Sequence, residues 1–312
     1  MDSLTGIRKP PLLRAGDRAG IFLSSSPVRE TYRCRGLESL RRMGLEPLEV
    51  PGIMEGSGWQ SKHPREVVED LQRFFHDRSI RALWAARGGY GANLALPYLD
   101  SLEIPEAKVV VGSSDVSVLL WWLMEKRRMV VFYGPMAFAS LAEEGAQEEQ
   151  CLALLNGSDP MPAFPGRSLI RGRAEGRIHG GCLTNLVSLI GTPWFPHLKD
   201  RIVLLEDVGE RPYRLHRLCW QLVQSRGLHG ARGIVLGEFP GCCRDAEEQR
   251  DLWRQLTELF SHLDIPVMTD LPLGHARRAM TIPLGVSVRM NVSADEACLQ
   301  VLEPGTVSRR DD

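Results

Sequence analysis

The stretch Val109-Val-Val-Gly-Ser-Ser-Asp-Val-Ser-Val-Leu-Leu120 narrows the folds open to this chain more than any other. Its three β-branched residues predict a short buried strand. Gly112 breaks that strand, and the apolar run over 118–123 continues at helical length. A strand that turns directly into a helix is the building unit of a parallel α/β sheet. A serine on such a turn is pushed out of the sheet, beside the open N–H groups of the helix start. That suits an acyl-transfer nucleophile, because the same turn supplies a donor for the developing oxyanion. Ser114 is the better placed serine, since it directly precedes Asp115, whose N–H would point at the reacting oxygen. Ser113, Ser114 and Asp115 also suit a plain helix cap, and this stretch alone does not separate the two roles.

The alternation of strand and helix runs through the first half. A turn at Gly16 is expected to lead into a first strand reaching Leu23, ended by Ser24-Ser25-Ser26-Pro27, then a helix from Glu30 to Met43 and a strand over Gly44–Val50. An amphipathic helix from Pro64 to His76 precedes a strand at Ile80–Ala86. Arg87-Gly88-Gly89-Tyr90-Gly91 then opens another helix. Glycines after a strand let backbone approach a ligand closely, or simply make a tight turn. Their spacing is not that of a dinucleotide site. Ser24–Pro27, Arg87–Gly91 and Ser114 all fall after strands, where ligands bind in such sheets.

Gly157, Pro160, Pro162, Pro165 and Gly166 follow in quick succession, and 156–173 is read as a linker between an N-terminal domain (1–155) and a C-terminal one (174–312). In the second half Gly180-Gly181 leads into a short helix. The run Arg201-Ile-Val-Leu-Leu-Glu206 is a strand that delivers Glu206 to its end. Leu273-Gly-His275 follows another strand on a loop.

Charge and cysteine usage exclude several classes. A net charge of −1 gives no electrostatic case for nucleic acid or an acidic membrane surface. Seven scattered cysteines form no disulfide framework or zinc spacing, which suits a reducing compartment. The first ten residues lack the apolar core of a signal peptide, and no run reaches membrane-spanning length, so a cytoplasmic protein is expected.

A nucleophilic serine needs a base, and the base an orienting group. Among eight histidines, six fall in polar stretches, and His179 beside a glycine turn could line a pocket. His275, in a loop with no core role of its own, is the best candidate base, with a surface histidine as the alternative reading. Glu206 is the best placed carboxylate, and the adjacent Asp207 competes with it.

Six motifs, in order, resemble the LD-carboxypeptidases, serine peptidases of murein tetrapeptide recycling whose family includes microcin C immunity peptidases. They are Arg87-Gly-Gly-Tyr-Gly, Gly112-Ser-Ser-Asp-Val-Ser, Tyr133-Gly-Pro-Met, Gly180-Gly-Cys-Leu, Leu204-Leu-Glu-Asp-Val-Gly-Glu210 and Leu273-Gly-His275. The resemblance implies Ser114 as nucleophile, His275 as general base and then acid, and Glu206 as its orienting carboxylate. It implies an oxyanion hole from the backbone N–H groups of Asp115 and of Gly88 and Gly89. Arg87, Tyr90, Ser25 and Ser26 are the candidates for substrate binding, and for Arg87 a structural salt bridge is an equal alternative. The implied fold is an N-terminal flavodoxin/Rossmann-like parallel α/β domain plus a C-terminal mixed α/β domain, with the active site at their interface. No metal or organic cofactor is implied; the implied partners are a small peptide substrate and a second copy of the chain in a homodimer. Two positions depart from the family pattern: Ser113, where an aromatic is frequent, and Cys182, where asparagine is common. Both bear on the pocket rather than the triad, and Cys182 is read as a buried inert thiol. The activity expected is release of terminal D-alanine from a murein tetrapeptide. The alternatives are an immunity-type amidase acting on a peptidyl-nucleotide and a muropeptide-binding sensor without activity.

Overall fold

The computed structural model describes residues 6–56 and 58–309. The first five residues, part of the stretch read above for a signal peptide, and the last three of the polar tail lie outside the described residues. The chain divides into two compact units: Met1–Pro160 with Arg277–Gly285 and Pro304–Asp312, and Met161–Ala276 with Val286–Glu303.

The first unit runs β1 (Arg18–Phe22), α1 (Glu30–Arg42), β2 (Glu46–Glu49), α2 (Pro64–His76), β3 (Ile80–Ala85), α3 (Ala92–Ala95), β4 (Val109–Gly112), α4 (Ser117–Arg127), β5 (Val131–Tyr133) and α5 (Glu148–Asn156). These strands form a parallel sheet in the order β2-β1-β3-β4-β5. The winding reverses between β1 and β3, and a sheet of this kind binds ligands in the crevice that such a reversal opens. Helices on both faces explain why β4 is a continuous run of valines: every residue of it is buried. The apolar side of α2 (Val67, Val68, Leu71, Phe74, Phe75) is buried. Gly20 lets Phe74 lie directly on β1, since a Cβ there would meet the ring at 2.7 Å. The start of α2 is set by a capping box: His63 Nδ1 accepts from Arg65 N (3.3 Å), and Glu66 accepts from His63 N (2.8 Å).

The second unit runs β6 (Ala163–Ile170), β7 (Gly172–Cys182), α6 (Leu183–Ser188), β8 (Arg201–Glu206), α7 (Pro212–Gln224), β9 (Gly233–Leu236), α8 (Ala246–Ser261) and β10 (Val267–Thr269). The chain then contributes β11 (Ile282–Leu284) to the first unit, antiparallel to β5 with Ile282 opposite Tyr133. It ends with β12 (Ser287–Val292) and β13 (Ala297–Val301) in the second unit. The second sheet closes into a barrel, β10-β6-β13-β12-β7-β8-β9. Strands β7, β8, β9 and β10 are parallel neighbours, so their carboxyl ends share one rim. The other pairings are antiparallel.

The first unit holds the expected parallel sheet, with antiparallel β11 added at its edge, and the second is mixed α/β as expected, but the domain limits need correction. Residues 156–173 are not a linker: they hold the end of α5, all of β6 and the start of β7. Pro165 and Gly166 sit inside β6, opposite Cys298 and Ala297 of β13. The C-terminal portion is also not one domain, since β11 completes the first sheet and Val307 bridges to Pro11. These pairings join residues far apart in sequence, which local composition cannot reveal. Among the described residues no helix is long and apolar enough to cross a membrane.

Candidate active site

Within the first unit, three loops leave the carboxyl ends of β1, β3 and β4. Ser114 lies on the last. From Lys108 to Met124 every residue is buried except Ser114, which is half-buried. Its φ is +58°, a left-handed conformation that non-glycine residues adopt at a cost and that recurs at functional turns. The turn is held from two sides. Ser114 N donates to the hydroxyl of buried Tyr133 (3.2 Å), and Ser117 Oγ donates to Ser114 O (2.6 Å). A three-residue 3-10 turn, Ser114–Val116, then leads into α4.

The glycine loop after β3 lies against this turn. A Cβ on Gly88 would sit 2.7 Å from Ser114 Oγ, so Gly88 brings its main chain up to the nucleophile candidate. Gly89 has φ +121°, and a Cβ there would meet Ser26 Oγ at 2.2 Å. Ser26 ties the neighbourhood together: its Oγ donates to Trp59 O (2.8 Å) and accepts from Tyr90 N (3.2 Å). Trp59 and Tyr90 form an edge-to-face pair with centroids 5.0 Å apart, 60% and 43% exposed.

Asp115 and Ser25 are both buried. Asp115 Oδ2 accepts from Ser25 Oγ (2.6 Å) and from Ala92 N (2.8 Å) at the start of α3. Burial pushes the Asp115 carboxyl above its ordinary range, while those two hydrogen bonds pull it down. Ser25 therefore needs correcting as a substrate contact: it is fully buried and its hydroxyl is directed to Asp115. Arg87 is likewise turned to the protein. Its guanidinium donates to Pro27 O (2.7 Å) and Gly88 O (3.2 Å), bracing the β1 and β3 loops through carbonyls rather than a salt bridge.

Within the second unit, Glu206 ends β8 and is fully buried. His275 follows β10, and both its backbone N (3.1 Å) and its Nδ1 (2.6 Å) meet Glu206 Oε2. An ionised carboxylate accepts only, so this contact puts the proton on Nδ1 and leaves Nε2 as the basic atom. Burial pulls the His275 pKa down, but the charge of Glu206, its hydrogen bond and the nearby Asp207 outweigh that and hold it above 6.5. Gly274 makes the pair possible: at φ +90°, a Cβ would lie 2.3 Å from the Glu206 carboxyl. Asp207, the competing acid, is turned away, accepting from Thr184 N (2.9 Å), Thr184 Oγ1 (2.7 Å) and Val208 N (2.9 Å).

Other candidates fall away on burial. His179 is fully buried in β7, which removes it as a pocket-lining residue, and Cys182 is buried opposite Glu206 in the β7–β8 register. Among the described residues, no group of three or more His, Cys, Asp or Glu side chains is placed to hold a metal ion. Sequence reasoning missed Tyr133 and Trp59. Tyr133 stood in a quoted motif at the end of a strand, a signal that could have found it; Trp59 comes from a stretch without periodicity.

Models of the LD-carboxypeptidase family match this chain in two pieces, the N-terminal domain over residues 20–134 and the C-terminal domain over residues 175–290. The murein tetrapeptide carboxypeptidase of Pseudomonas aeruginosa is 34% identical over 234 residues, 70% of this chain and 75% of its own length. The microcin C7 self-immunity protein MccF of Escherichia coli is 27% identical over 330 residues, covering 91% of this chain and 94% of its own. Among solved structures, a muramoyltetrapeptide carboxypeptidase from Oxalobacter formigenes superposes with a TM-score of 0.78 at 26% identity, covering 91% of this chain and 99% of that one.

Proposed function

From the premise that this chain belongs to the LD-carboxypeptidase family, we propose that it is a serine carboxypeptidase cleaving an L,D-peptide bond, with Ser114, His275 and Glu206 as its triad. Ser114 Oγ attacks the scissile carbonyl as His275 Nε2 takes its proton. Glu206 holds the imidazole in the required tautomer and stabilises the imidazolium. Backbone N–H groups of Asp115 and of Gly88 and Gly89 receive the oxyanion. His275 then protonates the leaving amine of D-alanine, and water, activated by the same nitrogen, releases the shortened peptide and restores Ser114.

The observation that carries this reading is the conformation of Ser114. A left-handed, half-buried serine in an otherwise buried run, with glycine backbone against its hydroxyl, is strained for no purpose in packing. A plain helix cap needs none of these features, and the capping position of the short turn is Ser113, whose side chain makes no cap hydrogen bond.

The substrate proposed is a murein tetrapeptide ending in D-alanine, supported by the similarity to the Pseudomonas enzyme. Trp59 and Tyr90 are proposed to contact the part of the substrate remote from the cleaved bond, and Ser26 to fix them. The likeness to a microcin C7 self-immunity protein supports a second reading, cleavage of a peptidyl-nucleotide. Purified protein offered the tetrapeptide, its L-alanine diastereomer, its C-terminal amide and a peptidyl-adenylate analogue separates these. Cleavage of the first with the second poor supports the proposal. Preference for the adenylate supports the second reading, and binding without cleavage of any supports a sensor.

A further inference from the structure

Asp115 does more at this turn than contribute a backbone N–H. Its carboxylate is 2% exposed, and among the described residues no ion pair holds it. Burying a carboxylate without a cation is costly, and it persists only where its hydrogen bonds serve the structure around it. The two bonds it accepts come from separate loops. Ser25 follows β1, Ala92 follows β3, and Asp115 itself follows β4. One oxygen, Oδ2, thus joins the three loops that surround the reversal of the sheet.

The surrounding contacts show what the junction controls. Ala92 lies four residues after Gly88, whose main chain rests against Ser114 Oγ. Ser25 precedes Ser26, which holds the backbone at Tyr90 and Trp59. Ser61 also anchors here, its N (3.1 Å) donating to Ser25 O. Asp115 is one residue beyond a backbone held at φ +58°. Resting on the reading of Ser114 as nucleophile, we infer that the Asp115 carboxylate and the Ser25 hydroxyl are positioning residues, setting the distance between Ser114 Oγ and the Gly88–Gly89 oxyanion donors.

Neither group touches substrate, so their loss should act on rate rather than on binding. A displacement of about 1 Å between nucleophile and donors costs roughly 10²-fold in rate. Ser25→Ala, which removes one donor with little change of volume, is expected to lower kcat about 10- to 100-fold with KM within about twofold. Asp115→Ala should lower kcat at least as far. Asp115→Asn can place its amide oxygen where Oδ2 accepts both bonds, so it should recover most of the loss. A residue needed only for folding would lower the yield of active protein without this recovery or this split between kcat and KM.

Amide hydrogen exchange supplies a readout that does not need activity. The Ala92 N–H should be protected in the full-length wild-type chain, and exchange faster in Asp115→Ala and Ser25→Ala, with the core of α4 unchanged. If the wild type cleaves no peptide but Ala92 behaves as described, the functional reading fails and the three-loop tie stands. Wild-type kcat in Ser25→Ala and Asp115→Ala, or Ala92 exchange unaltered in both, overturns the inference.

Discussion

His275 Nδ1 lies 2.6 Å from Glu206 Oε2, and the backbone N–H of the same histidine reaches that oxygen at 3.1 Å. The carboxylate therefore fixes both the ring and the main chain that carries it. Such double anchoring needs a residue without a side chain just before the histidine, and Gly274 at φ +90° meets that need.

Gly274→Ala tests the consequence. The added methyl would fall on the Glu206 carboxyl, in a backbone region that costs an alanine about 1–2 kcal/mol. A fall in Tm is expected together with a loss in kcat of about 10²-fold or more as the imidazole is displaced. Thermal melting and steady-state rates measure the two, and an alanine variant with native rate would show that the pair is not needed for turnover.

The pH profile follows from the same pair. The proposed triad requires neutral His275, and Glu206 holds its pKa above 6.5 despite burial. Activity should therefore rise with pH along a limb centred above 6.5. Glu206→Gln removes the charge that raises the pKa, so the limb should move to lower pH while kcat falls. An unchanged profile and rate in that variant would take Glu206 out of the triad.

Gly88→Ala is a steric probe of the other unit. Gly88 does not occupy the left-handed region, so alanine is compatible with its backbone, yet its methyl would lie 2.7 Å from Ser114 Oγ. Rate should drop about 10²-fold with Tm nearly unchanged. Native kcat would mean that the glycine loop is not beside the reacting oxygen.

The positions of Ser114 and Glu206 were readable from the chain because the proposed triad draws on strongly patterned elements. Val109–Gly112 and Arg201–Glu206 are apolar runs with abrupt ends, and those ends place Ser114 and Glu206. The barrel was harder. Strand β6 contains Pro165 and Gly166, and β6 and β7 carry arginines on their exposed positions, so they look like a linker until β13 and β12 pair with them. The role of Ser25 was hidden for a related reason: its partner Asp115 is 90 residues away, and only the sheet order brings the β1 and β4 loops together.

The exposed pair Trp59 and Tyr90 bears on affinity. An aromatic contact contributes about 0.5–1.5 kcal/mol, so Tyr90→Ala should raise KM for the tetrapeptide about two- to twelvefold and leave kcat nearly constant. A fall in kcat with KM unchanged would place Tyr90 in the chemistry instead.

The central claim is that Ser114 and His275 act as one catalytic unit on one substrate, and a double-mutant cycle on kcat for the D-alanine tetrapeptide tests it most directly. Ser114→Ala and His275→Ala should each lower kcat about 10⁴-fold or more, and the double variant should be little worse than either, because each change disables the same step. Losses that multiply in the double variant, or near-native turnover in either single one, would contradict it.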